Sequence, residues 1–137
     1  MEFQTEKALV RDHNAAIATA TPEGAAKALA RHTAPEWRWR GVHPFEEQRG
    51  AEAVAAIFWV PFLGAVSRLQ RREDIFFAGR NEMDGFEGIW VVSTGHLVGL
   101  FDTPWLGIRP TRRMVFLRYC EFHRVEKGQI VETAFFC

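Results

Sequence analysis

The rhythm of apolar and polar positions changes about halfway along this chain. In the first stretch Phe3, Leu9 and Val10, then Ala16 and Ile17, recur at helical spacing, which predicts a helix from Glu2 to Ala20. "TPEG" follows. Thr21 is a natural N-cap, Pro22 suits the first helical position and Glu23 favours the positive end of the helix dipole, so a second helix is expected from Pro22 to His32. Pro35 stops it, and "EWRWRG" alternates like a strand, with Trp37 and Trp39 on one face. A third helix fits "GAEAVAAIFWVPFLGAVSRL", kinked or broken near Trp59 by Pro61.

Beyond Ser67 the period becomes two. "RREDIFFAG", "EGIWVVSTGHLVGLF", "RRMVFLRYCEFHRVE" and "QIVETAFFC" read as strands, and Lys127-Gly128 predicts a tight hairpin turn before the last of them. The order helix, helix, short strand, helix, four long strands predicts an α+β domain, with three N-terminal helices packed on one face of a curved antiparallel sheet. The concave face would enclose a conical cavity with one open end, the kind of space in which small ligands bind. No repeat, low-complexity run or linker divides residues 1–137, so one domain is expected.

Composition narrows the partners. Hydrophobic residues make up 47% and charged residues 25% of the 137, and seventeen basic residues balance seventeen acidic ones. With no global field, neither nucleic acid nor an acidic membrane is an expected partner. The arginines at 68–72 and 109–113 are local runs, solvated strand ends weighed against an anion-binding patch. No segment approaches the roughly 20 apolar residues of a membrane span, and the N-terminus lacks the apolar run of a signal peptide. Cys120 and Cys137 make no disulfide framework, and His13, His32, His43, His96 and His123 have no metal-ligand spacing. The expectation is a cytoplasmic protein with reduced thiols, no metal and no cofactor.

Strand parity selects the candidate chemistry. In "VFLRYCEFHRV" the residues Val115, Leu117, Tyr119, Glu121 and His123 share one face, and Phe116, Arg118, Cys120, Phe122 and Arg124 the other. If the Tyr119–Glu121–His123 stripe faces the cavity, Glu121 is a carboxylate in an apolar cone, with a pKa raised by desolvation toward that of a general base. The apolar content of the other face argues instead for burying Phe116, Cys120 and Phe122. His96 is either a hydrogen-bonding partner of the base or a buried histidine bonded to a neighbouring strand, and His43 either closes the cavity or caps a turn. Trp39, Trp59, Trp90 and Trp105, with Tyr119, are candidate substrate contacts, core packing being the default for Trp59 and Trp90. Trp105 lies in the loop "GLFDTPWLGIRPTRR", between Pro104 and Gly107. There it reads as a lid over the open end or a contact to a second subunit.

Two stretches carry a family resemblance. One is Gly95, His96, Gly99, Phe101, Gly107, Ile108, Pro110 and Thr111; the other is the closing hairpin with Arg124, Val125, Gly128, Ile130, Val131 and Glu132. With "HPFEEQRG" and "FWVPFLGAVSRLQRREDIFFAG" they make residues 36–137 resemble the SnoaL-like polyketide cyclases of the nuclear transport factor 2 (NTF2) superfamily. The resemblance implies a cone-shaped α+β fold and a cofactor-free acid–base reaction of the intramolecular aldol type on a polyketide-like ester. The chain departs from the pattern in two ways. No acidic residue follows Glu132, where the family's last strand offers one, and "DTPW" at 102–105 is an insert. The end at a strand residue reads as a cut from a longer chain or a missing continuation. A steroid-isomerase-type oxyanion hole is disfavoured, since Tyr119 is the one tyrosine and no Asp lies beside it.

The resulting expectation is a domain that binds an apolar oxygenated small molecule and performs cyclisation or isomerisation on it. Glu121 is the base and His96 its partner. The alternative is a non-catalytic ligand-binding or dimerisation module, and a homodimer is expected in either case.

Overall fold

The computed structural model describes residues 2–137; Met1, the first residue of the expected domain, lies outside the described residues. The first helix, α1 (Gln4–Ala18), buries Val10, His13, Asn14 and Ile17. That is the i, i+3, i+4, i+7 face of a helix, with two polar residues at its centre. Thr21 caps a 3-10 turn at Pro22–Gly24, its Oγ1 accepting from the Gly24 amide at 3.1 Å. The short α2 (Ala25–Ala30) follows and buries Ala25, Ala28 and Leu29.

Strand β1 (Thr33–Gly41) starts before Pro35, not after it, and the register shifts between Thr33 and Arg38. The irregularity accommodates a residue with no ladder N–H to give. A short β2 (Glu47–Arg49) leads into the third helix, which is built of α3 (Gly50–Val54), a π-turn (Ala55–Trp59) and α4 (Val60–Ala65). The break expected near Trp59 is this π-turn. Pro61 has no amide proton for the carbonyl four residues back, and the ladder absorbs the loss by widening.

Val66 to Leu69, expected to finish the helix, instead open β3 (Val66–Arg80), because Val66 pairs with Phe101 across the sheet. The remaining strands are β4 (Ile89–Phe101), β5 (Met114–Glu126) and β6 (Gln129–Phe136), the last two joined at Lys127-Gly128. The sheet runs β2-β1-β6-β5-β4-β3. Its β3–β6 meander is antiparallel as expected, but β1 lies parallel to β6, so the sheet is mixed rather than wholly antiparallel. Glycine permits its curvature. A Cβ on Gly95 would sit 2.0 Å from the Arg72 carbonyl oxygen, and one on Gly99 would sit 2.4 Å from Val66 Cγ1. Strand β3 can therefore fold closely over β4 with bulges beside both glycines.

The helices cover the concave face. At the end near the β4–β5 loop the interior is filled by Trp39, Phe45, Phe58, Trp59, Phe62 and Phe135, packed ring against ring at centroid separations of 4.8–6.4 Å. Such pairs contribute about 0.5–1.5 kcal/mol each beyond their buried area. Elsewhere the interior mixes buried aliphatic side chains such as Val10, Ile17, Leu29 and Ile130 with a polar group that includes His13, Asn14, Ser93, Glu121, His123 and Thr133.

Candidate functional site

Parity along β5 turns Tyr119, Glu121 and His123 inward, and all three are buried. Phe116 and Phe122 point to the convex face, where Phe116 is 62% exposed. Apolar content favoured the opposite arrangement. Paired neighbours on one face decide it: Glu121 lies opposite Ser93 on β4 and Phe135 on β6, and His123 opposite Thr133, all buried.

Glu121 does not stand alone there. The Arg71 guanidinium from β3 donates to its Oε1 at 2.6 Å, and both side chains are almost completely buried. Burial by itself pushes the Glu121 carboxyl up, but Arg71 and then His123, whose Nε2 lies 3.9 Å from Oε1, outweigh it. The result is a carboxylate held well below its ordinary range, the reverse of the raised pKa expected for a base. Burial likewise pushes Arg71 down, and Glu121 together with Tyr119 more than restores it. The guanidinium also lies over the Tyr119 ring, 4.6 Å from its centroid.

Around this pair the hydrogen bonds form two short chains. Glu73 accepts from Ser93 Oγ at 3.0 Å, which uses the one Ser93 proton, so the Tyr119 hydroxyl donates to Ser93 at 2.9 Å. On the other side Trp37 Nε1 donates to Thr133 Oγ1 at 2.9 Å, and Thr133 Oγ1 meets His123 Nδ1 at 2.8 Å. His13 on α1 closes the cluster, its ring edge-on to His123 with centroids 5.5 Å apart. Burial, then the neighbouring His123 and Arg71, lower the His13 pKa to about 3, so its imidazole is neutral at physiological pH.

Several polar atoms in this interior have no hydrogen-bond partner among the described residues: His13 Nδ1, both amide atoms of Asn14, Arg71 Nε and His123 Nε2. Buried polar atoms are normally paired with protein groups or ordered water, so orphans gathered in one place make this interior a candidate site for a water or a polar ligand group. A cleft of about 290 Å3 between α1 and β3 is lined by two of the residues that carry them, Asn14 and Arg71, together with Arg11, Ala15, Ala18 and Glu73; His13 and His123 lie outside its lining. That volume is near the lower end of ligand pockets, about 300–1,000 Å3. A second depression of about 280 Å3, on the convex face, is lined by Phe77, Trp90, Val92 and Phe122 among others. It lacks this set of unpartnered buried groups.

The residues singled out in the sequence thus fall into four places. Glu121 and Tyr119 belong to the polar interior. Trp39 and Trp59 are packed core, and Trp105 folds from its loop onto Phe45, Phe58 and Phe62 with centroids 5.2–6.3 Å away. Trp90 and His96 lie on the convex face, Trp90 donating to Asp84 at 3.0 Å and His96 lying 3.6 Å from Asp74. The sheet therefore separates His96 from Glu121. His43 is exposed and bonds Glu46 in a turn. Sequence reasoning passed over His13, Asn14, Arg71 and Glu73 as site residues. The helical face drawn from Val10 to Ile17 held the signal for the first two. Arg71 falls in the arginine run at 68–72 read as solvated strand ends or an anion-binding patch; the strand instead turns it inward, where it is buried against Glu121.

Among the described residues no group of His, Cys, Asp and Glu is arranged to hold a metal ion, and no helix is long and apolar enough to cross a membrane.

Helices over a curved mixed sheet, with a polar interior, define an NTF2-like α+β protein, and solved structures of that class superimpose on this chain. An NTF2-like protein from Burkholderia thailandensis E264 aligns at TM-score 0.66 and 19% identity, covering 98% of this chain and 91% of its own. A candidate SnoaL-like polyketide cyclase from Jannaschia sp. CCS1 aligns at TM-score 0.68 and 18% identity, covering 94% and 85%. IdmH from Streptomyces antibioticus, a candidate polyketide cyclase, aligns at TM-score 0.67 and 17% identity, covering 91% and 88%. At such identities the likeness is one of fold. No curated protein matches the chain in sequence. The SnoaL-like domain family matches residues 10–133, and the chain belongs to that family.

Proposed function

We propose that the cleft between α1 and β3 binds an apolar, oxygenated small molecule of the polyketide-ester kind and moves a proton on it without a cofactor. The observation that carries this reading is the pair of cleft-lining residues, Asn14 and Arg71, whose buried polar atoms have no partner among the described residues. Removing a proton beside a carbonyl needs a base and donors for the enolate oxygen. Arg71 Nε and the Asn14 amide are the donors. Glu121, bound to Arg71, is the counter-charge that holds the guanidinium in place, in place of the base role expected for it. Glu73 is the carboxylate lining the cleft that makes no ion pair among the described residues, and it takes the proton. Membership of the SnoaL-like family supports the substrate class.

The test is deuterium exchange at the α-carbon of ethyl 2-methylacetoacetate in D2O, followed by proton NMR. The protein should accelerate exchange over buffer, Glu73→Gln should abolish the acceleration, and His96→Gln should leave it intact. Shifts of the Asn14 amide signals without acceleration would identify a binding module instead.

A second reading is compatible with the first. The convex face exposes Ile75 (53%), Phe77 (51%) and Phe116 (62%), while toward β1 and β6 its charges are already paired within the sheet, as Arg38–Glu47 and Arg124–Glu132. Such a face offers no uncompensated charge run there to select a charged partner and suits a second copy of the chain.

A further inference from the structure

The Trp37–Thr133–His123 chain has a direction. An indole N–H only donates, so Thr133 Oγ1 accepts from Trp37 at 2.9 Å. Thr133 is fully buried, and the acceptor within reach of its own proton is His123 Nδ1 at 2.8 Å. A buried hydroxyl proton left without an acceptor costs about 1–3 kcal/mol. We infer that Thr133 is a positioning residue: oriented by Trp37, it donates to His123 Nδ1 and locks the imidazole as the Nε2–H tautomer.

The consequence lies at the other end of the ring. Nε2 lies 3.9 Å from Glu121 Oε1 and has no hydrogen-bond partner among the described residues. In the locked tautomer that nitrogen carries a proton, so neutral His123 presents a donor to the interior and no lone pair. It reinforces Arg71 in holding the Glu121 carboxylate charged, and it cannot accept a substrate proton at Nε2. The groups facing it are Glu121 and Thr133 from the sheet and His13 from α1. The tautomer follows from the hydrogen bonds alone; its meaning for catalysis rests on the reading of the cleft given above.

The experiment is a long-range 1H–15N correlation spectrum of the 15N-labelled full chain at neutral pH, with the His123 ring assigned by comparison with His123→Gln. An unprotonated Nδ1 beside a protonated Nε2 is expected. Thr133→Val, which keeps the shape and removes the hydroxyl, should move His123 toward the other tautomer or a mixture, and Thr133→Ser should restore the original pattern. If Thr133→Val fails to fold, Thr133→Ala makes the same test, because it also removes the hydroxyl proton that Nδ1 accepts. A protonated Nδ1 in the wild-type protein, or an unchanged pattern in the variant that folds, overturns the inference. Deuterium exchange by the wild-type protein is read separately, so failure of the tautomer and failure of the acid–base reading are distinguishable.

Discussion

Arg71 and Glu121, fifty residues apart in sequence, meet inside the protein at 2.6 Å with both side chains almost fully buried. Breaking a buried pair by removing one partner leaves an uncompensated charge, at a cost of about 3–5 kcal/mol. Arg71→Met and Glu121→Gln should each lower stability by that order in urea denaturation. The double variant should recover much of the loss, because no lone charge remains buried. Equal and additive losses would show that the pair is not coupled.

Acid should destabilise the protein in two stages. His13 has its folded pKa lowered to about 3 from 6.5. The unfolded chain therefore binds its proton first, and the stability this group contributes above pH 6.5 is lost progressively as pH falls toward 3. Each pKa unit corresponds to about 1.4 kcal/mol. Glu121, also depressed in the folded state, contributes stability above the unfolded value of roughly 4.3 and gives it up at lower pH. His13→Asn should flatten the slope between pH 6.5 and 4 and leave the steeper fall below it. An unchanged slope would mean that His13 is not the buried neutral imidazole described here.

Trp105→Ala tests what the loop aromatic does. The ring rests on Phe45 and Phe62 at the filled end of the interior, and the cleft opens elsewhere, between α1 and β3. Full truncation of a core Trp costs about 3–5 kcal/mol. For this half-buried ring the loss should fall at or below the lower end of that range. The Asn14 response to ethyl 2-methylacetoacetate should persist; its disappearance would restore the role of a lid.

Gly95→Ala should be more damaging than its one added methyl suggests. The new Cβ would meet backbone oxygen at 2.0 Å, and backbone cannot turn aside as a side chain does. Overpacking of this kind costs about 1–3 kcal/mol, and here it also displaces the strand that carries Arg71 and Glu73. Chemical denaturation would measure the first effect, and loss of the deuterium exchange the second.

Phe116→Glu and Phe77→Glu should convert a dimer to a monomer in sedimentation velocity without lowering the melting temperature of the monomer, since both side chains are more than half exposed. A wild-type protein that sediments as a monomer at high concentration would sink the pairing of convex faces.

What the sequence determined by itself was what local physics controls. Helical spacing, the Thr21 cap, the interruption at Pro61, the alternation of the last four strands and the Lys127-Gly128 turn each depend on neighbours a few residues away. The family follows from the same local motifs in order. The tertiary structure decided which face of each strand turned inward, since alternation defines two faces and names neither. The β1–β6 pairing and the helices chose the one with Tyr119, Glu121 and His123. It also decided the charge state of Glu121. A carboxylate in an apolar cone would have been pushed up. The same carboxylate against a guanidinium brought from β3 is pulled down, and only the fold brings Arg71 there.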